Sequence, residues 1–316
     1  MQVIDAKAID DRLNFPLLIE ALAEAFRGGV TAPHRVHHTI ERAGAAATLL
    51  LMPAWTTSAS RSGAFLGTKI VSVFPDNASR GLPAVHGVYV LQSGETGAPL
   101  AALDGTRLTL WRTAAASALA ARFLARRDAS RLLMIGAGAL APFLVKAHRA
   151  VRPIGEVAIW NHRRASAERL AQTLAGEGVN AVVADNLEQA ARQADVISCA
   201  TLSTAPLIKG EWLRDGQHVD LVGAFNLHMR EVDDEALRRA RIFVDTEAAL
   251  HEGGDVAVAI ASGSINKSHV VADLAALCSG AQGRGGEQEI TLFKAVGAAI
   301  EDLAAAMLVW NRIRAD

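Results

Sequence analysis

Over residues 131–245, short runs of apolar and often β-branched residues alternate with segments of helical spacing, the pattern of βαβ units that build a parallel sheet. Strands are predicted at 131–135, 156–160, 180–184, 195–200, 218–222 and 242–245. Between the first two, Leu140, Phe143, Leu144 and Ala147 share one face of a helix predicted over 139–150. Pro142 falls in its first turn, where a missing N–H does no harm. Upstream the pattern changes: 46–53, 64–74 and 84–92 read as strands, the last two flanking a turn-rich stretch at 75–81, which implies a separate, largely antiparallel sheet. Residues 113–126, rich in Ala and Leu, read as a helix leading into the parallel sheet. The glycine-rich 280–286 reads as a loop, and 291–313 as one long helix that packs back on the first domain.

The sequence is 316 residues long, 51% hydrophobic and 21% charged, with 32 basic against 33 acidic side chains. This composition excludes intrinsic disorder, and the absence of a basic surplus argues against a partner made of nucleic acid. The most apolar stretch, 45–55, is far shorter than the ~20 residues that span a bilayer, so no membrane helix is expected. Three acids precede any apolar stretch at the N-terminus, unlike a secretory signal. Cys199 and Cys278 are the only cysteines, too few for a disulfide framework or a four-cysteine zinc site. The expectation is a cytoplasmic protein that uses no metal.

The strand at 131–135 runs directly into Gly136-Ala137-Gly138-Ala139-Leu140-Ala141 and then a helix, the setting in which a G-x-G-x-x-A run reads as a dinucleotide loop. Gly136 permits the tight turn, Gly138 admits a pyrophosphate to the backbone, and Ala141 lets helix and strand pack closely. Ala139 opens the helix, whose N–H groups and dipole favour the anion. The fold class is therefore α/β: a Rossmann-type doubly wound parallel sheet domain over 113–291, plus a smaller α+β domain built from 1–112 and 292–316. The second strand ends in Asn161-His162-Arg163-Arg164, where a carboxylate would favour NAD. Two guanidiniums there suit the 2′-phosphate of NADP, so NADP(H) is preferred and NAD(H) stays open. The alternative is that Arg163 and Arg164 solvate a helix start.

Six lysines stand against 26 arginines. Lys69 lies in a strand pattern with Val71 and Val73 on its own face, where apolar neighbours lower an ammonium's pKa and suit it to proton donation or to polarising C=N or C=O. An edge-strand lysine that discourages aggregation is the alternative. Arg112 opens a small-residue helix expected to join the two domains, and its guanidinium can take a carboxylate bidentately; a surface ion pair is the plainer reading. Arg35 is a second carboxylate candidate. Tyr89 is the only tyrosine and Ser93 stands four residues later, which rules out a Tyr-x-x-x-Lys reductase dyad. Neither Ser62 nor Ser72 occupies a G-x-S-x-G elbow, and no H-E-x-x-H run is present.

Lys69, the run Arg112-Thr113-Ala114-Ala115-Ala116-Ser117, Gly136-Ala137-Gly138-Ala139 and Trp160-Asn161 occur in an order that resembles the ornithine cyclodeaminase/mu-crystallin family. The likeness continues through Leu51-Met52-Pro53, Ala200-Thr201, Gly210-Glu211-Trp212, Val222-Gly223-Ala224, Arg230-Glu231 and Leu292-Phe293-Lys294, and so covers almost the whole chain. It implies an NAD(P)-dependent enzyme of amino or imino acids whose smaller domain binds substrate and forms a homodimer. By position, Lys69 and Arg112 would be catalytic, with Arg112 and Arg35 on the substrate carboxylate and Met52 and Phe225 beside the substrate. Thr113, Gly136, Gly138, Ala139, Asn161, His162, Arg163, Thr201 and Phe293 would bind the cofactor. Two departures from the family's cyclodeaminases carry information: Phe225 and Leu50 stand where those enzymes have carboxylates. Cyclodeamination needs a distal ammonium held and deprotonated, work that a phenyl ring cannot do. The reading is a reductase of a cyclic 2-carboxy imine, with ornithine cyclodeamination, an alanine-type amino acid dehydrogenase and a non-catalytic NADPH-binding protein as alternatives.

Overall fold

The computed structural model describes residues 1–57, 60 and 63–315, so Ser62 and the terminal Asp316 of the predicted first domain lie outside the described residues. The chain divides into two compact units, Met1–Thr113 with Ala298–Asp316, and Ala114–Gly297.

The first unit opens with β1 (Gln2–Ile4), α1 (Ala6–Arg12) and α2 (Phe15–Arg27). Asp5 and Asn14 cap the two helices by accepting the N–H groups of Ala8 and Leu17. Then come β2 (Val30–Thr31), β3 (Val36–Ile40), β4 (Ala47–Thr56), β5 (Phe65–Val73), β6 (Val85–Ser93), β7 (Pro99–Asp104) and α3 (Gly105–Leu124). The sheet runs β1-β7-β6-β5-β4-β2, with β3 also paired to β4, and every pairing but β1 on β7 is antiparallel. Period two gives it an inner face of Met52, Ala54, Phe65, Tyr89, Leu91, Ala101 and Leu103, all buried. The C-terminal helix (Ala299–Ala315) packs on β4, β5 and β6 from that side and on α2, whose Leu18, Ile19, Leu22 and Phe26 are buried. Each such side chain contributes about 1.5–3 kcal/mol, enough to hold both helices on the sheet. On the outer face, Val36, Leu51, Ile70 and Val88 lie in one cross-strand row, and Val36 and Val88 are exposed.

The second unit contains β8 (Arg131–Ile135), α4 (Ala141–Val151), β9 (Glu156–Trp160), α5 (Arg164–Gly176), β10 (Ala181–Val183), α6 (Leu187–Gln193), β11 (Val196–Cys199), β12 (His218–Leu221), α7 (Asp234–Arg239) and β13 (Arg241–Val244). After them follow α8 (Ala249–Glu252), α9 (Gly254–Ala261), β14 (Val270–Asp273), α10 (Leu274–Cys278) and β15 (Thr291–Lys294). All eight strands are parallel, in the order β10-β9-β8-β11-β12-β15-β13-β14. The doubly wound α/β architecture expected from the sequence is present, with a smaller unit beside it in the chain.

Two expected boundaries differ. The long helix predicted over 291–313 is two elements: β15 pairs with both β12 and β13, Gly297 turns the chain at φ +81°, and the helix begins only at Ala299. Residues 292–297 therefore belong to the parallel-sheet unit. At the other junction α3 starts at Gly105, eight residues before the expected start. The sheet also buries polar groups in pairs: His148 Nε2 lies 3.2 Å from Asp220, which accepts from Ser198 Oγ at 2.7 Å, and His218 Nδ1 lies 3.0 Å from Thr291 Oγ1. Burial holds the His218 imidazole down to about 3, so it is neutral at physiological pH.

Candidate active site

In the first unit the candidate chemistry converges on one carboxylate. β5 lies between β4 and β6, so Lys69 is on a central strand, 3% exposed, and is not an edge lysine. The register places Met52 and Tyr89 directly beside it on the inner face. There Lys69 meets Asp302 from the first turn of the C-terminal helix: Nζ donates to Oδ1 at 3.0 Å and lies 2.8 Å from Oδ2. Arg112 Nε donates to the same Oδ1 at 2.9 Å, and its Nη1 donates to Glu301 at 2.5 Å. Thr109, one turn before Arg112 on α3, accepts from Lys69 at 3.5 Å. Arg112 is 5% exposed and both carboxylates are fully buried, so its ion pair is internal and not the surface pair of the plainer reading. Among the described residues two cations face two anions there, and such pairing is the condition under which buried charges are tolerated.

Burial first, and then the neighbouring Arg112 guanidinium, lower the Lys69 ammonium to about 8, against an opposing pull from Asp302. Lys69 is thus charged at neutral pH yet close to giving up its proton. Asp302 and Glu301 fix the guanidinium plane of Arg112 through Nε and Nη1. Tyr89 is fully buried, with its hydroxyl over Gly67, where a Cβ would lie 2.0 Å from the oxygen. Arg35 is half-buried just ahead of β3. Thr113, 8% exposed, follows Arg112 on α3.

In the second unit the glycine turn has the form its sequence implies. Gly136 sits at φ +103°, and a Cβ there would lie 2.5 Å from the Ala200 carbonyl, so this position admits only glycine. A Cβ on Gly138 would meet nothing within 4 Å, which leaves its backbone open to approach. The helix after the turn begins at Ala141, two residues later than predicted, with Ala141 fully buried and Leu140 as an N-cap that supplies no side-chain bond. Ala139 is exposed in the turn. These features fit a pyrophosphate at the helix N-terminus. At the end of β9, Asn161 donates to the Arg163 carbonyl at 3.0 Å, and His162 and Arg163 are exposed. Arg164 is taken up by ion pairs with Glu168 and Asp185.

Thr201 follows β11 and is bound through its N–H and hydroxyl to Glu231, at 2.7 and 2.9 Å. Phe225 is 47% exposed after β12. Phe293 is fully buried within β15, a strand position in place of the expected helical one. Thus the structure gathers Lys69 and Arg112 in one cluster of the first unit with Met52 at its side, and groups Gly136 with Thr201 in the second. Glu301 and Asp302 were missed from the sequence, and Glu231 entered only within the Arg230-Glu231 pair, with no role. Adjacent acids in the otherwise Ala- and Leu-rich 299–309 were the available signal for the first two. No helix among the described residues is long and apolar enough to cross a membrane, and no group of three or more His, Cys, Asp or Glu side chains among them could hold a metal ion.

The sequence profile of the ornithine cyclodeaminase/mu-crystallin family matches residues 2–316. A Delta(1)-pyrroline-2-carboxylate reductase of Colwellia psychrerythraea is 35% identical over 320 residues, covering 99% of each chain. Among solved structures, the Thermococcus litoralis Delta(1)-pyrroline-2-carboxylate reductase in complex with NADH and L-proline superposes with a TM-score of 0.93 at 32% identity, over 100% of this chain and 98% of that one. An archaeal alanine dehydrogenase dimer with bound NAD gives a TM-score of 0.91 at 33% identity, over 100% and 96%.

Removing the shared carboxylate tests the cluster. Asp302→Asn leaves two buried cations with one anion, and stability should fall by about 3–5 kcal/mol, read as a lower midpoint in urea at unchanged slope. A midpoint equal to wild type would show that Asp302 does not carry the pair.

Proposed function

The chain belongs to the ornithine cyclodeaminase/mu-crystallin family, and we propose that within it this protein is a nicotinamide-dependent reductase of a cyclic 2-carboxy imine, such as Δ1-pyrroline-2-carboxylate or its six-membered analogue. The observation that carries the reading is the buried Lys69, Arg112 and Asp302 group, whose ammonium is charged but weakened. In this proposal Arg112 and Arg35 take the substrate carboxylate, and Lys69 donates a proton toward the imine nitrogen as the C2=N pair moves onto it. A reduced nicotinamide, when bound, would supply the hydride for C2. Gly136, Gly138 and the Ala139–Ala141 turn would hold its pyrophosphate, with Thr113, Thr201 and Phe293 near the cofactor.

Met52 and Phe225 would line the substrate's methylenes, where a cyclodeaminase carboxylate has no task in a reductase. The likeness to alanine dehydrogenase favours a second reading, in which an open-chain 2-oxo acid and ammonia form the imine. That relative is a dimer, and the exposed Val36 and Val88 row would give this chain an apolar face for a second copy. A monomer by sedimentation equilibrium would remove the dimer.

The test is NAD(P)H oxidation followed at 340 nm with cyclic imines, with 2-oxo acids plus ammonia, and with ornithine plus NAD(P)+. Turnover of cyclic imines well above the other two supports the reading. Ammonia release from ornithine at a comparable rate would overturn it. Because the proton-bearing form of Lys69 is the donor, kcat/KM should be flat below about pH 8 and fall about tenfold per unit above it. A profile that rises through that range would make Lys69 a base. For the cofactor, Arg163 would meet a 2′-phosphate. Arg163→Ala should then weaken NADPH about tenfold while leaving NADH near wild type, the effect of losing one charged hydrogen bond; equal losses would remove that contact.

A further inference from the structure

Three strand ends in the second unit approach one another more closely than side chains allow. A Cβ on Gly136, after β8, would lie 2.5 Å from the Ala200 carbonyl and 3.3 Å from Thr201 Cγ2. A Cβ on Gly223, after β12, would lie 2.1 Å from the Thr201 carbonyl and 2.4 Å from Glu231 Oε1. Glu231 is fully buried at this junction. Its Oε1 accepts the N–H and hydroxyl of Thr201, and its Oε2 accepts the N–H groups of Gly223 and Ala224, at 2.8 and 3.2 Å. The backbone of Glu231 is itself pinned. Its N–H donates to Asp255 at 2.7 Å, and its carbonyl accepts from Leu207 and Ile208. Asp255 in turn faces Lys294 at 3.3 Å. A side chain with both ends fixed cannot follow the loops; the loops must follow it.

These loops carry Thr201 and Phe225 at the carboxyl ends of neighbouring parallel strands, beside the β8 and β11 pair that brackets the glycine turn, where open α/β sheets take their ligands. We infer that Glu231 is a positioning residue: by binding four donors from two loops it sets the spacing of the Thr201 and Phe225 segments that would bound the nicotinamide end of the cofactor. This rests on the proposed reductase reading for the identity of the ligand. A glutamine at 231 would turn an NH2 toward one loop, since only its carbonyl oxygen accepts. One loop would lose its acceptor and the spacing would open. The geometry therefore assigns to Glu231 a role that another polar group of the same size cannot fill.

The experiment compares wild type, Glu231→Gln, Thr201→Val and the double variant. Hydrogen exchange is measured without cofactor, NADH affinity by fluorescence of the bound nucleotide, and kcat and KM with the cyclic imine. Glu231→Gln should speed exchange either at Thr201 or at Gly223 and Ala224, whichever loop meets the NH2, by at least about tenfold, the loss of one charged hydrogen bond, and weaken NADH by a similar factor. Amides inside β8 should be unaffected. kcat should fall while the imine KM changes little, and Thr201→Val should cost less in the Glu231→Gln background than in wild type, because the hydroxyl it removes is one of the four donors that Glu231 holds. Faster exchange across the whole unit with unchanged NADH affinity and kcat would make Glu231 structural only and overturn the inference. If Glu231→Gln proves insoluble, Glu231→Asp, one methylene too short to reach both loops, decides in its place: wild-type exchange at Thr201, Gly223 and Ala224 with unaltered NADH affinity would overturn it. Should wild type reduce no imine, the proposed function fails, while the exchange and NADH arms still decide the role of Glu231.

Discussion

One carboxylate, Asp302, governs the first unit. It is fully buried and shared by Lys69 from β5 and Arg112 from α3, and neither cation would be stable inside the protein alone. Neutrality of the group requires Glu301 as well, so the first turn of the C-terminal helix must present two adjacent acids to the sheet. That demand fixes the helix in rotation and height over β4, β5 and β6. It also sets the chemistry: Lys69 keeps its proton at neutral pH because Asp302 is near, and holds it loosely because burial and Arg112 oppose the charge. Packing and proton affinity there are one arrangement seen from two sides.

The parallel-sheet unit solves a related problem by different means. Its strands all end on one side, and the chain leaving them needs backbone donors satisfied without water. Buried carboxylates do this at successive strand ends: Glu231 for the loops after β11 and β12, Asp255 for the Glu231 and Val232 N–H groups, and Asp245 for Val296 and Gly297 after β15. Burial pushes the Glu231 carboxyl up to about 7, against Lys294, which pulls it down. Glycines at 136 and 223 let the loops close onto these acceptors. A glycine turn with an open backbone at Gly138 and a set of pinned loops around it follow from the same geometry.

Much of this was legible in the chain. The six strands predicted over 131–245 are present because buried parallel strands read as β-branched runs bounded by turns. The glycine turn was legible because its meaning is local. β15 was not: its four residues Thr291–Lys294 merge into the apolar run that follows, and only Gly297 marks the break. Lys69 and Arg112 stood out by residue type and by family resemblance, yet their anionic partners lie 233 and 190 positions away from them in sequence. Pairing at that distance leaves no periodic trace. Glu231 was noticed only as part of an Arg-Glu pair, since nothing local announces that its acceptors face Thr201 and Gly223.

The central claim is that hydride reaches C2 of an imine while Lys69 supplies the proton. The direct measurement is a single turnover with nicotinamide deuterated at C4 and a cyclic 2-carboxy imine, followed by mass spectrometry and NMR of the amino acid formed. The account predicts one deuterium, at C2 and on a single face, with Lys69→Met forming product far more slowly but labelled at the same position. An amino acid without deuterium at C2, or a Lys69→Met protein that turns over as fast as wild type, would contradict it.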